Sequence, residues 1–510
     1  LYNPVFTMGE EYMRLPAVVK TKSGDNQTRD RDGHGMVWFV VFMSSPPASP
    51  SEGSPLLSGS LFRAIAALSV PMLISGALQE MQSLIDLFWV GRLGSHAVAA
   101  VSLSGIFLFL FSPVTMGLMV GTMALVSRSV GSGEMEEAGR ASAQSLLLAS
   151  MLGAVVSAIG WIAAPLVFPL LGMHATDSIQ QGVDPGLVVR EGETFLRIIL
   201  TGQVFFFVLL ACFASLQASG DARTPMVCSL IATVLNLVLD PLLIYGIGPF
   251  PRLGVSGAAL ATVLSQAVAL ACAIRALAGQ SAHGLMLRRG MFRPDLSLFW
   301  RILRVGLPGS GQLLLRSTMS AALMRIVASC GPAAVAGYGV GLRWHMFILM
   351  PAFALGNATA ALVGQNLGAE QPDRARRAAW TASCIDAGIM LLFAGVALVA
   401  AVPMMRLFSA DSAVVQHGAE YLRLVSPIYP AVAFGIILGR ALNGAGDSLA
   451  PMVITAISLW GIQMPAAILL VRWMEPSTLG IWIAIAIGNL LHALLIAARF
   501  RQGAWMRRTV

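Results

Sequence analysis

The sequence predicts an all-α, polytopic membrane protein whose twelve transmembrane helices form two six-helix bundles related by a parallel internal repeat. Three observations carry this expectation. Of 510 residues, 56% are hydrophobic and 11% charged, with a mean hydropathy of +0.75, a balance that soluble domains cannot bury. Apolar runs of about twenty residues or more follow one another between short polar loops, as helices crossing a hydrocarbon layer of roughly 30 Å require. The second half of the chain also repeats the first. Stretches such as Val204 to Ala214 are apolar on every side, which excludes a transmembrane β-barrel with its two-residue alternation. Soluble enzymes and nucleic-acid binders are excluded with it, despite a net charge of +8.

The chain opens on residues 1–55, which differ from the remainder. Residues 1–42 hold both lysines, Lys20 and Lys22, among ten charged side chains, and Ser44 to Pro55 is rich in Pro and Ser. That composition predicts a disordered lead-in. Met36 to Met43 is too short to span and lacks the layout of a signal peptide. Because the chain begins with Leu1, translation is expected to start at Met36 or Met43. Residues 56–285 are expected to hold helices 1–6, at roughly 61–90, 97–127, 138–171, 191–217, 224–248 and 254–279. Residues 286–510 follow with helices 7–12, at roughly 299–328, 333–363, 374–405, 415–442, 449–474 and 479–501.

The repeat is legible residue by residue. At an offset of 237, Pro71 aligns with Pro308, Ala97-Val98-Ala99 with Ala334-Val335-Ala336, and Gly131 with Gly368. At an offset of 226, Phe195-Leu196-Arg197 aligns with Tyr421-Leu422-Arg423 and Gly220-Asp221 with Gly446-Asp447. The difference places an insertion between Arg140 and Glu191, in the polar loop Thr176 to Gly186. Six helices per repeat is an even number, so both halves enter the membrane from the same side and meet about an axis along the membrane normal. Alternate loops fall on opposite faces. One face, with the C-terminal tail, collects seventeen arginines, Arg128, Arg374 and Arg440 among them, against seven on the other. The positive-inside rule then places both termini in the cytoplasm of a cell bounded by its inner (plasma) membrane.

Polar side chains inside these spans are expensive, and they mark function. Gln79 and Asp86, seven residues apart on helix 1, share a helical face. Asn236 and Asp240 on helix 5 share another at i,i+4, followed by Pro241, which removes a donor to the Leu237 carbonyl and bends the helix. Pro71 is the corresponding bend in helix 1. At the repeat offsets Asp86 aligns with Leu323, Asn236 with Ile462 and Asp240 with Ala466, so the scaffold does not itself demand these groups. A carboxyl group in hydrocarbon, with another beside it, keeps its proton more readily than one in water, which suits proton carriage. Protons are therefore the expected coupling ion, with sodium the alternative, because the same oxygens with Asn236, a free carbonyl and a hydroxyl could instead hold a small hard cation. The second half carries Gln312, Arg316, Arg343, His345 and Asp386 instead; Arg316 with Asp386 is expected as a buried ion pair, and His345 as a satisfied interface residue. The five cysteines stand singly in or beside apolar runs and are expected as small buried hydrophobes, with no disulfide and no metal site.

From about residue 60 to 500 the chain resembles the multidrug and toxic compound extrusion (MATE) family. The residues that carry the resemblance are Pro71, Gln79, Asp86 and Gly91-Arg92-Leu93-Gly94; Gly117 to Gly121-Thr122; Gln217 to Asp221 with Thr224-Pro225-Met226; and Val363-Gly364-Gln365 to Gly368-Ala369. Asp86, Asn236, Asp240 and Thr262 are similar to the cation site of the branch related to DNA-damage-inducible transporters. The resemblance implies a V-shaped pair of bundles and a secondary active exporter that exchanges organic, often cationic, compounds for protons or sodium. Such a protein acts as a monomer in the lipid bilayer, on small-molecule substrates, without a cofactor or nucleic acid. Gln79, Gln312, Arg316 and Arg343 are the candidate cavity residues. The alternatives are a sodium-coupled exporter or a lipid-linked precursor flippase of the same superfamily. A membrane enzyme is disfavoured, because no HExxH, GxSxG or paired His/Asp motif appears.

Deleting residues 1–42 is expected to leave membrane insertion and transport intact, measured by membrane fractionation and export assays on the shortened chain. Loss of both would refute the start-site reading.

Overall fold

The computed structural model describes residues 56–171, 184–279, 285, 287–474 and 477–508. The expectations for residues 1–55, and for most of the Thr176 to Gly186 loop, lie outside them. Twelve membrane-length helical elements are present among the described residues: α1 (Leu61–Gly91), α2 (Ser95–Phe109 continued by Ser112–Gly131), α3 (Met135–Leu170), α4 (Pro185–Ser219), α5 (Arg223–Tyr245), α6 (Val255–Ala278), α7 (Leu296–Ala328), α8 (Pro332–Gly368), α9 (Pro372–Arg406), α10 (Ser412–Gly444), α11 (Leu449–Trp473) and α12 (Thr478–Arg501). Eleven are long and apolar enough to cross a membrane. The other, α7, carries Arg301, Arg304, Gln312, Arg316 and Arg325 along its 33 residues.

Three helices are interrupted where continuous spans were expected, and proline explains each interruption. In α2 the first segment ends at Phe109, the residue whose carbonyl the ring of Pro113 would strike. In α10 a 3₁₀ turn at Ser426–Ile428 holds Pro427, and Pro430 starts the helix that follows. In α11 a π-helical stretch, Ala456–Gln463, precedes Pro465; its wider turn takes in one extra residue and clears the ring. Pro71 and Pro241, by contrast, lie inside helices that continue past them to Gly91 and Tyr245. Side-chain caps start several helices: Asp184 accepts from Gly186 N (2.9 Å), Asp295 from Ser297 N (2.9 Å) and Asp411 from Ala413 N (2.8 Å). The Gly220-Asp221 turn is likewise a cap, with Asp221 accepting from Thr224 N at 2.9 Å.

The first six helices pack among themselves in the same pairs as the last six. Helix α4 contacts α2, α3 and α6 as α10 contacts α8, α9 and α12, and α5 lies between α1 and α6 as α11 lies between α7 and α12. Between the halves, α2 packs on α7 and α8 packs on α1, the two contacts a two-fold relation requires. Close to that relation α2 and α8 themselves cross. A Cβ at Gly131 would strike the backbone of Gln365, and one at Gly368 the carbonyl of Arg128. These two contacts exchange under the repeat offset, so the crossing is built on a pair of glycines whose absent side chains admit backbone against backbone.

Of the cysteines, Cys212 and Cys228 are buried as expected, Cys272 and Cys330 are half-buried, and Cys384 is exposed.

Gly131→Leu or Gly368→Leu is expected to destabilise the protein by about 1–3 kcal/mol through overpacking of this crossing. Thermal unfolding of the purified protein measures it, and an unchanged midpoint in both variants would show that the backbones do not meet there.

Candidate functional site

The acidic residues of the first half converge from three helices. Asn236 and Asp240 sit one turn apart on α5 and are fully buried, with Asn236 Nδ2 donating to Asp240 Oδ1 at 3.3 Å. Asp86 comes from α1, within hydrogen-bonding reach of both Asp240 and Asn236. Thr262 comes from α6, and its hydroxyl lies 3.4 Å from Asp86 Oδ2 and 3.1 Å from the Ala258 carbonyl. Three buried oxygens have no partner: Asp86 Oδ1, Asn236 Oδ1 and Asp240 Oδ2. No arginine or lysine pairs with either acid among the described residues. Two carboxyl groups in contact without a counter-ion are stable only when a proton or a cation joins them.

This set opens on a cavity of about 200 Å3 walled by α1, α4, α5 and α6. Gln79, Gln82, Ser83 and Asp86 form its α1 face, at the i, i+3, i+4 and i+7 spacing of one helical stripe. Ser229 and Gln266 add polar groups, and Phe206 and Phe213 of α4 an aromatic wall. Gln79 therefore does share a surface with Asp86. Gln82 and Ser83 are the residues that the spacing from Gln79 signalled and that sequence reasoning passed over. Glu80 is exposed, off this stripe.

The second half holds a different group. Arg316 NH2 lies 3.1 Å from His492 Nε2, which is also 3.2 Å from Thr455 Oγ1; Gln312 Nε2 donates to Thr455 Oγ1 at 3.3 Å. Since a guanidinium only donates, the facing His492 nitrogen must accept, so its proton is on Nδ1 and the ring is neutral. Arg440 and His345 lie within electrostatic range of Arg316, Arg440 touching Met116 Sδ at 3.4 Å and His345 bonding the Tyr429 hydroxyl at 3.1 Å. Arg440, counted among loop arginines, is thus inside α10. The ion pair expected between Arg316 and Asp386 does not form: Asp386 is fully buried with both oxygens unpartnered, and Arg316 turns to His492 because α7 faces α11 and α12 here. Arg343 is exposed, and no hydrogen bond or ion pair ties it to this group. Among the described residues, no three His, Cys, Asp or Glu side chains gather as a metal site needs.

Comparison with known proteins agrees with this architecture. The family profile described as MatE matches twice, over residues 71–242 and 308–469, once per repeat. A probable multidrug resistance protein NorM from Thermotoga maritima is 27% identical over 470 residues, covering 90% of this chain and 96% of that relative. An FAD transporter from Shewanella oneidensis is 31% identical over 442 residues, covering 86% of this chain and 94% of its own. Among solved structures, a MOP superfamily transporter from Pyrococcus furiosus, described as having a binding pocket of reverse polarity, superposes with a TM-score of 0.81 at 25% identity, over 91% of this chain and all of that one. Twelve helices in two repeats, the doubled profile match and relatives aligned over nearly their whole length establish that the chain belongs to the MatE family of multi-pass membrane transporters.

Proposed function

We propose that the chain is a secondary active exporter of varied organic compounds, seated in the inner (plasma) membrane with both termini cytoplasmic, and that protons drive it through Asp86 and Asp240. The relatives named for multidrug resistance support the export of such compounds. The observation that carries the coupling is the buried carboxyl pair with three unpartnered oxygens and no counter-ion, open to a cavity of about 200 Å3. A shared proton satisfies two touching carboxyl groups outright, whereas a hard cation asks for a fuller set of oxygen ligands. Protonation removes charge between α1, α5 and α6, changes their packing, and shifts the population between conformations that open to opposite sides. Organic compound and proton then compete for the unprotonated state, which exchanges one for the other.

Asp86→Asn is expected to abolish gradient-driven export while the protein remains folded, because an amide neither releases a proton nor supplies a full charge. Asp240→Asn is expected to be similarly impaired, and Leu323→Asp to rescue neither. Dye export from cells, with folding followed by size-exclusion profile, checks all three; normal transport by Asp86→Asn would refute the assignment.

In vesicles, export is expected to follow an imposed pH gradient and to survive replacement of sodium by choline. Transport that persists without the pH gradient and collapses in choline would assign sodium instead.

A further inference from the structure

The two halves hold one pocket twice, with opposite charge. Helices α6 and α12 bury the same face: Gly257, Ser265, Ala269 and Ala273 of one match Gly480, Gly488, His492 and Ile496 of the other. On this register His492 stands where Ala269 lines the first-half cavity. At the repeat offsets Thr455 likewise stands for Ser229, and Arg316 for Gln79. All three first-half residues line the cavity beside Asp86. The group around Arg316 is therefore the repeat counterpart of the cation-coupling pocket, rebuilt with basic side chains where the first half has neutral and acidic ones.

The basic version has no anion of its own. No carboxylate pairs with Arg316 or Arg440 among the described residues; Arg316 bonds His492 and Arg440 the Met116 thioether. Arg316 spends one N–H on His492, and its remaining donors are not among the buried unpartnered atoms, so they face accessible space. Gln312 and Thr455 brace His492, and through it the plane of the guanidinium. A braced, partly dry guanidinium with a second arginine in range, across from methionines, is a receptor for an oxyanion on an apolar body. The cost of keeping two such cations in a membrane span without counter-ions is otherwise uncompensated.

We propose that the Arg316–Arg440 group binds a phosphate or carboxylate group of the exported organic solute, so that the substrates of this transporter include organic anions. This rests on the reading of the chain as an exporter. The first-half acids take the coupling cation and the second-half arginines take the substrate anion, so the two ligands occupy opposite members of a duplicated site.

The test uses riboflavin and riboflavin 5′-phosphate, which differ by one phosphate, and follows flavin fluorescence on the full chain in phosphatidylcholine vesicles. The wild-type protein is expected to bind the phosphate ester at least about tenfold more tightly, the worth of one or two charge-assisted bonds. Arg316→Gln installs the residue the first half carries there; it and Arg440→Gln should each remove most of that preference, Arg316→Lys should retain part, and Arg325→Gln, an exposed arginine of the same helix, should change nothing. Equal affinity of the wild-type protein for the two flavins, or a preference that survives both glutamine variants, overturns the proposal. Loss of the preference on adding phosphatidylglycerol overturns the assignment to a solute in favour of a lipid headgroup. Ethidium export under a pH gradient, measured in parallel, separates the two readings: ethidium transport without phosphate preference leaves the exporter standing and the anion site refuted, and phosphate preference without transport of any dye does the reverse.

Discussion

The crossing of α2 and α8 is the constraint on which the rest of the structure depends. Two six-helix bundles carry much apolar surface to lipid on their outer faces, so hydrophobic burial alone does not decide where they meet. What decides it is close approach, at places where a side chain is missing. Gly131 against Gln365 and Gly368 against Arg128 provide that approach symmetrically, and Gly117 against Gly306 extends it to α2 and α7. Because the α2–α8 contacts lie near the C-terminal ends of both helices, the halves meet backbone to backbone at one end of the bundle, while the α2–α7 contact at Gly117 lies deeper. A joint at one end, with polar pockets deeper in each half, is what a rocking mechanism requires.

The charge distribution follows from the duplication. Each half offers the same set of inward-facing positions on its first, fifth and sixth helices. Membrane burial taxes a charge of either sign, so each charge must be met by something. Buried Asp447, at the turn before α11, is met by Arg499 at 2.8 Å and Arg508 at 3.2 Å. Asp86, Asp240, Asp386, Arg316 and Arg440 are not; the two neighbouring acids lie in the first half and the two arginines in the second. On the readings proposed above, one duplicated scaffold serves two ligand chemistries without any new helix.

Much of this was legible in the sequence, for physical reasons. Spans announce themselves because hydrocarbon demands about twenty apolar residues whatever the fold; Asp86, Asn236 and Asp240 stand out because few polar residues are tolerated there at all, and the family resemblance, not the pattern, adds Thr262 and groups the four. The interruption of α2 was less visible: Pro113 is plain in the sequence, but a proline may bend, break or merely ride in a helix, as Pro71 and Pro241 do. Arg316 was noted and its partner misjudged, since pairing by charge favoured Asp386 while helix packing brought His492. Arg440 was hidden by its position, one turn from a loop and indistinguishable in sequence from the arginines that sit there. Such distinctions depend on which helices neighbour one another, and single-chain periodicity does not encode that.

The π-helical stretch of α11 changes how the two repeats are to be counted. One additional residue in the turn shifts every position beyond it, so Asn236 corresponds in space to Gln463 and Asp240 to Ala467, not to Ile462 and Ala466. Burial agrees: Ile462 is 39% exposed, whereas Gln463 is 3% exposed and Ala467 fully buried. Gln463 moreover holds a buried amide oxygen with no partner, as Asn236 does. The second half thus carries a carboxamide at the place of Asn236, while Leu323, Ala467 and Ile485 stand for Asp86, Asp240 and Thr262.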